Sequence, residues 1–149
     1  METEWLDARE MAMWQSFLAA GALVGREVER QLKREGLSHT QYEVLVRLAD
    51  APEGRLRMTE LADALYTSKS GLTYQVTQLE KAGLLMREAC PTDVRGVIAV
   101  LTAAGRERLA EVAPGHVAAV RRVLVDVLTA AQRDAVAEGL GEVARRLAP

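Results

Sequence analysis

The residues best placed to do chemistry in this chain are hydrogen-bonding groups rather than nucleophiles. Leu72, Val76 and Leu79 recur at i, i+4 and i+7, the spacing of the buried side of a helix. At about 100° per residue, the opposite side then carries Ser70, Tyr74, Thr77 and Lys81, flanked by Thr73 and Gln78. Hydroxyls, an amide and an ammonium suit contacts with base edges and phosphate oxygens. Ser68, Lys69, Ser70 and Gly71 open the same helix, where free backbone amides favour an anion. Arg57 precedes this segment, and Asp93 and Arg95 follow it in turn-rich sequence. An Arg near a hairpin tip is drawn to the strong negative potential of a narrow minor groove, and Asp93 is expected to orient it by a charge-assisted hydrogen bond.

Other reactive side chains are few. Cys90 is the one cysteine, so no intrachain disulfide can form, and Glu88 and Asp93 beside it are expected to oppose thiolate formation. The chain's two histidines, His39 and His116, have no zinc-ligand spacing, and a metal site or cofactor is not expected. They read first as hydrogen-bonded structural groups, with His116 on an apolar helix stripe. There is no nucleophile motif, phosphate-binding glycine loop or carboxylate cluster, which argues against an enzyme.

Composition sets the frame for these groups. The 149 residues are 49% hydrophobic, 27% charged and 4% aromatic, which suits a helical protein with one integrated core. A net charge of −2 argues against nonspecific coating of nucleic acid, although from Arg55 to Thr102 six basic residues face five acidic ones. No apolar run approaches the roughly 20 residues of a membrane span, and the acidic start lacks a signal peptide's basic head, so a cytoplasmic protein without membrane contact is expected.

The elements that must position the polar helix follow from periodicity and caps. Residues 5–34 form a long helix with Trp14, Phe17, Leu18, Val24, Val28 and Leu32 on one stripe. Gly21 and Gly25 lie on that stripe, where close helix approach serves either intrachain packing or a subunit contact. Trp14 and Phe17 are expected to pack in the core. Gly36 ends the helix, and Ser38 with Gln41 forms a capping box for a second helix, stapled by Leu37 and Tyr42. A turn at residues 50–54 leads to a short helix over 60–65 with Thr59 as its N-cap, and Ser68 caps a helix over 69–81 that Gly83 ends. Residues 84–89 and 97–101 are strands separated by a turn at 90–96. Thr102 caps a long stretch carrying Leu109, Val112, His116, Val120, Leu124 and Val127, with a kink expected at Pro114-Gly115 and an end near Thr129. The last helix, 130–147, has Val136, Leu140, Val143 and Leu147 on one face.

Helix, turn, helix and β-hairpin in that order describe a winged helix-turn-helix, whose second helix enters the major groove. The fold expected is mainly α with a small β-hairpin wing (α+β), flanked by N- and C-terminal dimerisation helices. The series Leu37-Ser38-x-Thr40-Gln41-Tyr42-x-Val44-Leu45, Glu60-Leu61-Ala62, Ser68-x-Ser70-Gly71-Leu72-Thr73, Leu79-Glu80-x-Ala82-Gly83-Leu84, Asp93-x-Arg95-Gly96 and Leu101-Thr102-x-x-Gly105 resembles the MarR family over nearly the whole chain. The resemblance implies a triangular homodimer, with residues 1–36 and 103–149 as dimerisation region and 37–102 as DNA-binding lobe. It also implies double-stranded DNA with a pseudo-palindromic operator as partner, and repression as the commoner outcome. The DNA-binding residues would be Arg57, Ser68, Lys69, Ser70, Thr73, Tyr74, Thr77, Gln78, Lys81, Asp93 and Arg95. Many members leave DNA when a small, often phenolic or anionic effector binds between the lobes; His39 borders that cleft, and Trp14 and Phe17 are further candidates to line it. Val94 departs from the pattern, because the family's wing usually has a basic residue between the Asp and the Arg. Two alternatives stand beside this reading: redox response through Cys90, although the first helix lacks the cysteine of the peroxide-sensing branch, and a winged helix that binds protein, which the polar face of Ser70, Thr73, Tyr74 and Thr77 disfavours.

Overall fold

Side-chain caps decide where most of the helices begin. In the computed structural model, which describes residues 1–149, helix α1 (Ala8–Arg34) opens on Asp7. Asp7 accepts the Glu10 N–H at 2.8 Å while Glu10 accepts the Asp7 N–H at 2.9 Å, so the helix starts later than the residue 5 expected from periodicity. Helix α2 (His39–Asp50) has the predicted capping box of Ser38 and Gln41, after Gly36 turns the chain at φ 82°. Ser68 caps α4 (Lys69–Lys81), Thr102 caps α5 (Ala103–Val123), and Thr129 caps α6 (Ala130–Leu147). Each such cap is worth about 1 kcal/mol. Helix α3 (Met58–Ala64) departs from expectation: Thr59 lies inside its first turn and is not the N-cap. The chain enters α3 directly from a strand, and the Glu60 carboxylate takes the Arg57 N–H at 3.3 Å.

That strand is β1 (Arg55–Arg57), which joins β2 (Leu85–Cys90) and β3 (Asp93–Leu101) in an antiparallel sheet of order β1-β3-β2. The wing is therefore three-stranded rather than the expected two-stranded hairpin, because three residues carry too little alternation to be recognised as a strand. The expected turn at 90–96 also shrinks to Pro91 and Thr92. Ala89 pairs with Val97 and Cys90 with Asp93, so residues 94–96 bulge from the ladder. Gly96 allows this bulge to fold down, since a Cβ there would lie 2.8 Å from the Cys90 Cβ.

One cluster of 16 buried residues forms the core, drawn from the last third of α1, from α2, α3, α4 and the sheet, and from Val112 of α5. Leu72, Val76 and Leu79 lie in it with 1%, 0% and 2% exposure, as the helix pattern required. Helix α5 packs by two close approaches. A Cβ on Gly105 would meet the Leu84 carbonyl oxygen at 2.0 Å, and one on Gly115 would meet Gln31 Nε2 at 2.8 Å. The expected kink at Pro114 does not divide α5, which runs unbroken from Ala103 to Val123. Pro114 faces solvent, and contacts at Val112 and Gly115 hold the helix on both sides of it. The break comes instead at Leu124 (φ −135°, ψ −60°), before a 3₁₀ turn over Val125–Val127, and Val127 lies outside the core stripe at 70% exposure.

The His116 ring packs 4.2 Å from that of Tyr42, joining α5 to α2, and 6.1 Å from that of His39. Burial, reinforced by His39, holds its pKa below the ordinary histidine value, against the opposing pull of Glu43. Its Nδ1 has no hydrogen-bond partner.

Much apolar surface stays outside this core. Trp14 and Phe17, expected to be buried, are 47% and 49% exposed and stack on one another. No atom comes within 4 Å of a Cβ built on Gly21 or Gly25, so these glycines serve no intrachain helix approach. Helix α6 buries no residue at all, leaving Val136, Leu140, Val143 and Leu147 exposed. No helix is long and apolar enough to cross a membrane.

Two outcomes follow from the packing. Helix propensity alone makes Gly→Ala stabilising by about 1 kcal/mol, but at Gly105 the collision with a backbone carbonyl reverses the sign, so Gly105→Ala is expected to lower urea-unfolding stability by about 1 to 3 kcal/mol. Because the folded state holds His116 below 6.5, unfolded chains bind its proton first as pH falls. Stability contributed by the neutral ring is therefore complete above 6.5 and declines from there down towards the depressed folded value. Thermal unfolding between pH 7.5 and 5 should show that decline, and His116→Phe should flatten it.

Candidate nucleic-acid interface

Burial of Leu72, Val76 and Leu79 fixes the rotation of α4 about its axis and turns its polar side outward. Ser68, Lys69, Ser70, Thr73, Tyr74 and Lys81 are exposed, Tyr74 at 64%, while Thr77 and Gln78 are half-buried at the edge of the face. Local bonds order the start of this helix. Ser68 Oγ accepts the Gly71 N–H at 3.2 Å and lies 3.4 Å from Ser70 Oγ. Thr73 Oγ1 donates to the Lys69 carbonyl at 2.8 Å, which leaves its lone pairs free to accept. Gln75 turns the other way, towards α2, with its Oε1 3.4 Å from Ser38 Oγ.

An open cleft of about 430 Å³ separates α4 from the wing, with Arg57, Lys69, Thr73, Arg87, Asp93 and Arg95 on its walls. Four cations and one carboxylate among these residues make it a positive groove, although the whole chain carries a net charge of −2. The cleft brings together residues from β1, α4, β2 and β3, and so unites Arg57 with the recognition helix and the wing pair. Arg87 was not among the expected site residues. Its signal was its place on a strand of the wing itself, which a motif-centred reading does not weigh.

The wing pair is arranged differently from expectation. Asp93 Oδ1 accepts the backbone N–H of Arg95 at 3.0 Å, so the carboxylate shapes the bulge and makes no ion pair with the Arg95 guanidinium. Arg95 is exposed and has no carboxylate partner, and Val94 beside it is fully exposed. Two cross-strand contacts stiffen the sheet below: Arg55 reaches over β3 to Glu88 at 2.7 Å, and Arg57 Nη2 donates to Thr92 Oγ1 at 3.1 Å. These contacts also change the environment of Cys90, which is buried beneath the bulge. Hydrogen bonding to Thr92, helped by the nearby Arg57 charge, holds its thiol below the usual cysteine range. The expected opposition from Glu88 and Asp93 does not appear: Glu88 is paired with Arg55, Asp93 Oδ1 takes the Arg95 N–H, and the Asp93 backbone adds a further hydrogen bond that lowers the thiol pKa.

The three candidate ligand-lining residues do not form one site within a protomer. The His39 N–H donates to Glu29 and its ring lies 3.4 Å from Glu43. Trp14 and Phe17 sit about four turns of α1 above Glu29, on the order of 20 Å along the axis.

Comparison with known proteins agrees with this geometry. The MarR family model matches residues 37–97. The chain is similar to Sco3205 of Streptomyces coelicolor, a MarR family transcriptional regulator solved in complex with DNA, with TM-score 0.94 and 44% identity over 99% of this chain and 93% of that one. It is also similar to AbsC of the same organism, another MarR family regulator, with TM-score 0.91 and 39% identity over 97% and 98% of the two chains. The HTH-type transcriptional repressor YetL of Bacillus subtilis is 27% identical over 95% of this chain and 84% of its own length. A winged helix with a polar recognition face beside a positive groove, and relatives matched over nearly their full length, lead to one conclusion: the chain belongs to the MarR family of transcriptional regulators.

Proposed function

We propose that two copies of the chain form a homodimeric repressor that reads a pseudo-palindromic operator. Residues 37–102 act as the DNA-reading lobe, and residues 1–36 and 103–149 as the dimerisation region. The observation that carries the DNA reading is the exposed polar face of α4 beside a groove whose Arg95 has no carboxylate partner. Ser70, Thr73, Tyr74, Thr77 and Gln78 meet base edges in the major groove, while Ser68, Lys69, Lys81 and Arg57 meet phosphates. Arg95 enters the adjacent minor groove, and Asp93 holds the bulge that presents it. The DNA complex of Sco3205 and the repressor role of YetL support the same reading.

Dimerisation accounts for the apolar surface that the protomer leaves open. A helix with no packed face gains little stability from its own hydrogen bonds, and α6 buries nothing within the chain. A second copy covers α6 and the Trp14–Phe17 side of α1, and it brings Trp14 and Phe17 of one protomer within reach of a cleft near His39. A small phenolic or anionic effector in that cleft releases the operator only if it binds the DNA-incompetent arrangement more tightly.

In a gel shift or anisotropy titration with a duplex that the protein selects from a random library, Arg95→Ala is expected to weaken binding by about 1 to 3 kcal/mol and lower the salt slope by about one unit per half-site. Weaker binding at an unchanged slope would contradict a direct contact. Light scattering should give twice the protomer mass for the intact chain. Leu140→Glu, or removal of the residues after Val127, should yield monomer or aggregate; a soluble monomer that still holds the full operator would refute the dimer.

A further inference from the structure

We infer that Glu80 and Arg87 are positioning residues for DNA reading: a clamp that fixes the angle between α4 and the wing without itself touching DNA. The inference rests on the DNA-binding reading above and concerns what holds its two probes in register.

The geometry of the pair is that of a lock rather than a surface ion pair. Glu80 Oε2 accepts the backbone N–H of Arg87 at 2.8 Å, and Oε1 accepts the same residue's Nη2 at 3.0 Å and Nε at 3.3 Å. Strand β2 is an edge strand in the order β1-β3-β2, so the N–H groups that face away from β3 have no ladder partner. Glu80 takes one of them and thereby ties the last turn of α4 to the backbone of the wing. It is the one ion pair that joins these two elements; the other contacts of the wing, Arg55–Glu88 and Arg57–Thr92, stay within the sheet and its turn.

The connection between α4 and β2 is short. It turns at Gly83, φ 78°, where a built Cβ would find no atom within 4 Å. Backbone bonds from Gly83 and Leu84 close the helix, Thr102 Oγ1 donates to the Gly83 carbonyl at 2.7 Å, and Leu85 and Leu101 anchor the sheet in the core, all at the end of the wing away from Arg95. Arg95 and the Ser70–Thr77 face must reach two grooves at once, so a small change in how far the distal wing leans towards α4 misplaces one of them. Charge gives the same answer. Arg87 lines the groove, yet a carboxylate holds its guanidinium, whereas Arg95 stands free.

The test uses the dimer of the 149-residue chain, the duplex that the wild-type protein selects from a random library, and a scrambled duplex of equal length, each titrated over a salt series. Glu80→Gln, Arg87→Gln and Arg87→Lys should each weaken the selected duplex about tenfold, with the scrambled duplex and the salt slope unchanged, and Glu80→Gln with Arg87→Gln together should cost no more than either alone. Arg87→Lys is the decisive variant, because it keeps the charge and loses the fork that grips Glu80. Near wild-type affinity for Arg87→Lys, a lower slope for Arg87→Gln, or unchanged or tighter binding by Glu80→Gln would each overturn the clamp. Thermal unfolding of each variant should stay close to wild type, and a loss of affinity that follows the loss of folded protein would overturn the clamp as well. Failure of the wild type to select any duplex would instead remove the DNA reading itself.

Discussion

Burial of one side of α4 is the constraint on which the rest of the structure depends. Leu72, Val76 and Leu79 sit in the shared core with the aliphatic residues of α2, α3 and the sheet, and that packing leaves the helix one rotational setting. With the rotation fixed, the polar residues have no choice of direction. Every hydroxyl and amide offered to a ligand faces outward because turning it inward would bury an unpaired polar group and expose three aliphatic ones. The outward polar face of α4 is thus a by-product of core formation.

The wing is held by a different kind of force. Its core side is thin, so cross-strand polar contacts and a glycine bulge do what aliphatic packing does for α4. Arg55 spans β3 to reach Glu88, Glu80 seals the outer edge of β2, and Asp93 folds the tip by accepting the Arg95 N–H. Each carboxylate near the wing is thus committed to a structural partner, and the positive potential of the groove survives in a chain whose overall charge is negative.

The protomer is energetically incomplete in a consistent way. Its 21 buried residues all lie between Val28 and Ala119, while α6 and the first two-thirds of α1 present apolar faces to solvent. Under the proposed dimer, the same two helices that assemble the molecule also set the distance between its reading helices, so assembly and operator geometry become one property. The Tyr42–His116 contact lies where α2 meets α5.

Where local chemistry decides the structure, the linear sequence was sufficient. Ser38, Ser68 and Thr102 cap the helices they were expected to cap, and the i, i+4, i+7 pattern of α4 identified both its buried and its polar side. Caps and helix stripes involve residues a few positions apart, so their partners are visible in the chain itself. What the sequence could not show depends on partners far along the chain. Strand β1 exists because β3 lies beside it, α5 continues unbroken through Pro114 with Gly115 packed against Gln31, and Arg87 serves Glu80 because the turn at Gly83 brings them together. The same holds for Trp14 and Phe17: an apolar stripe states that something must cover it, and only the tertiary structure reveals that the protomer's own core does not. Period and capping are local quantities, whereas register, closure and burial are set by which distant surfaces meet.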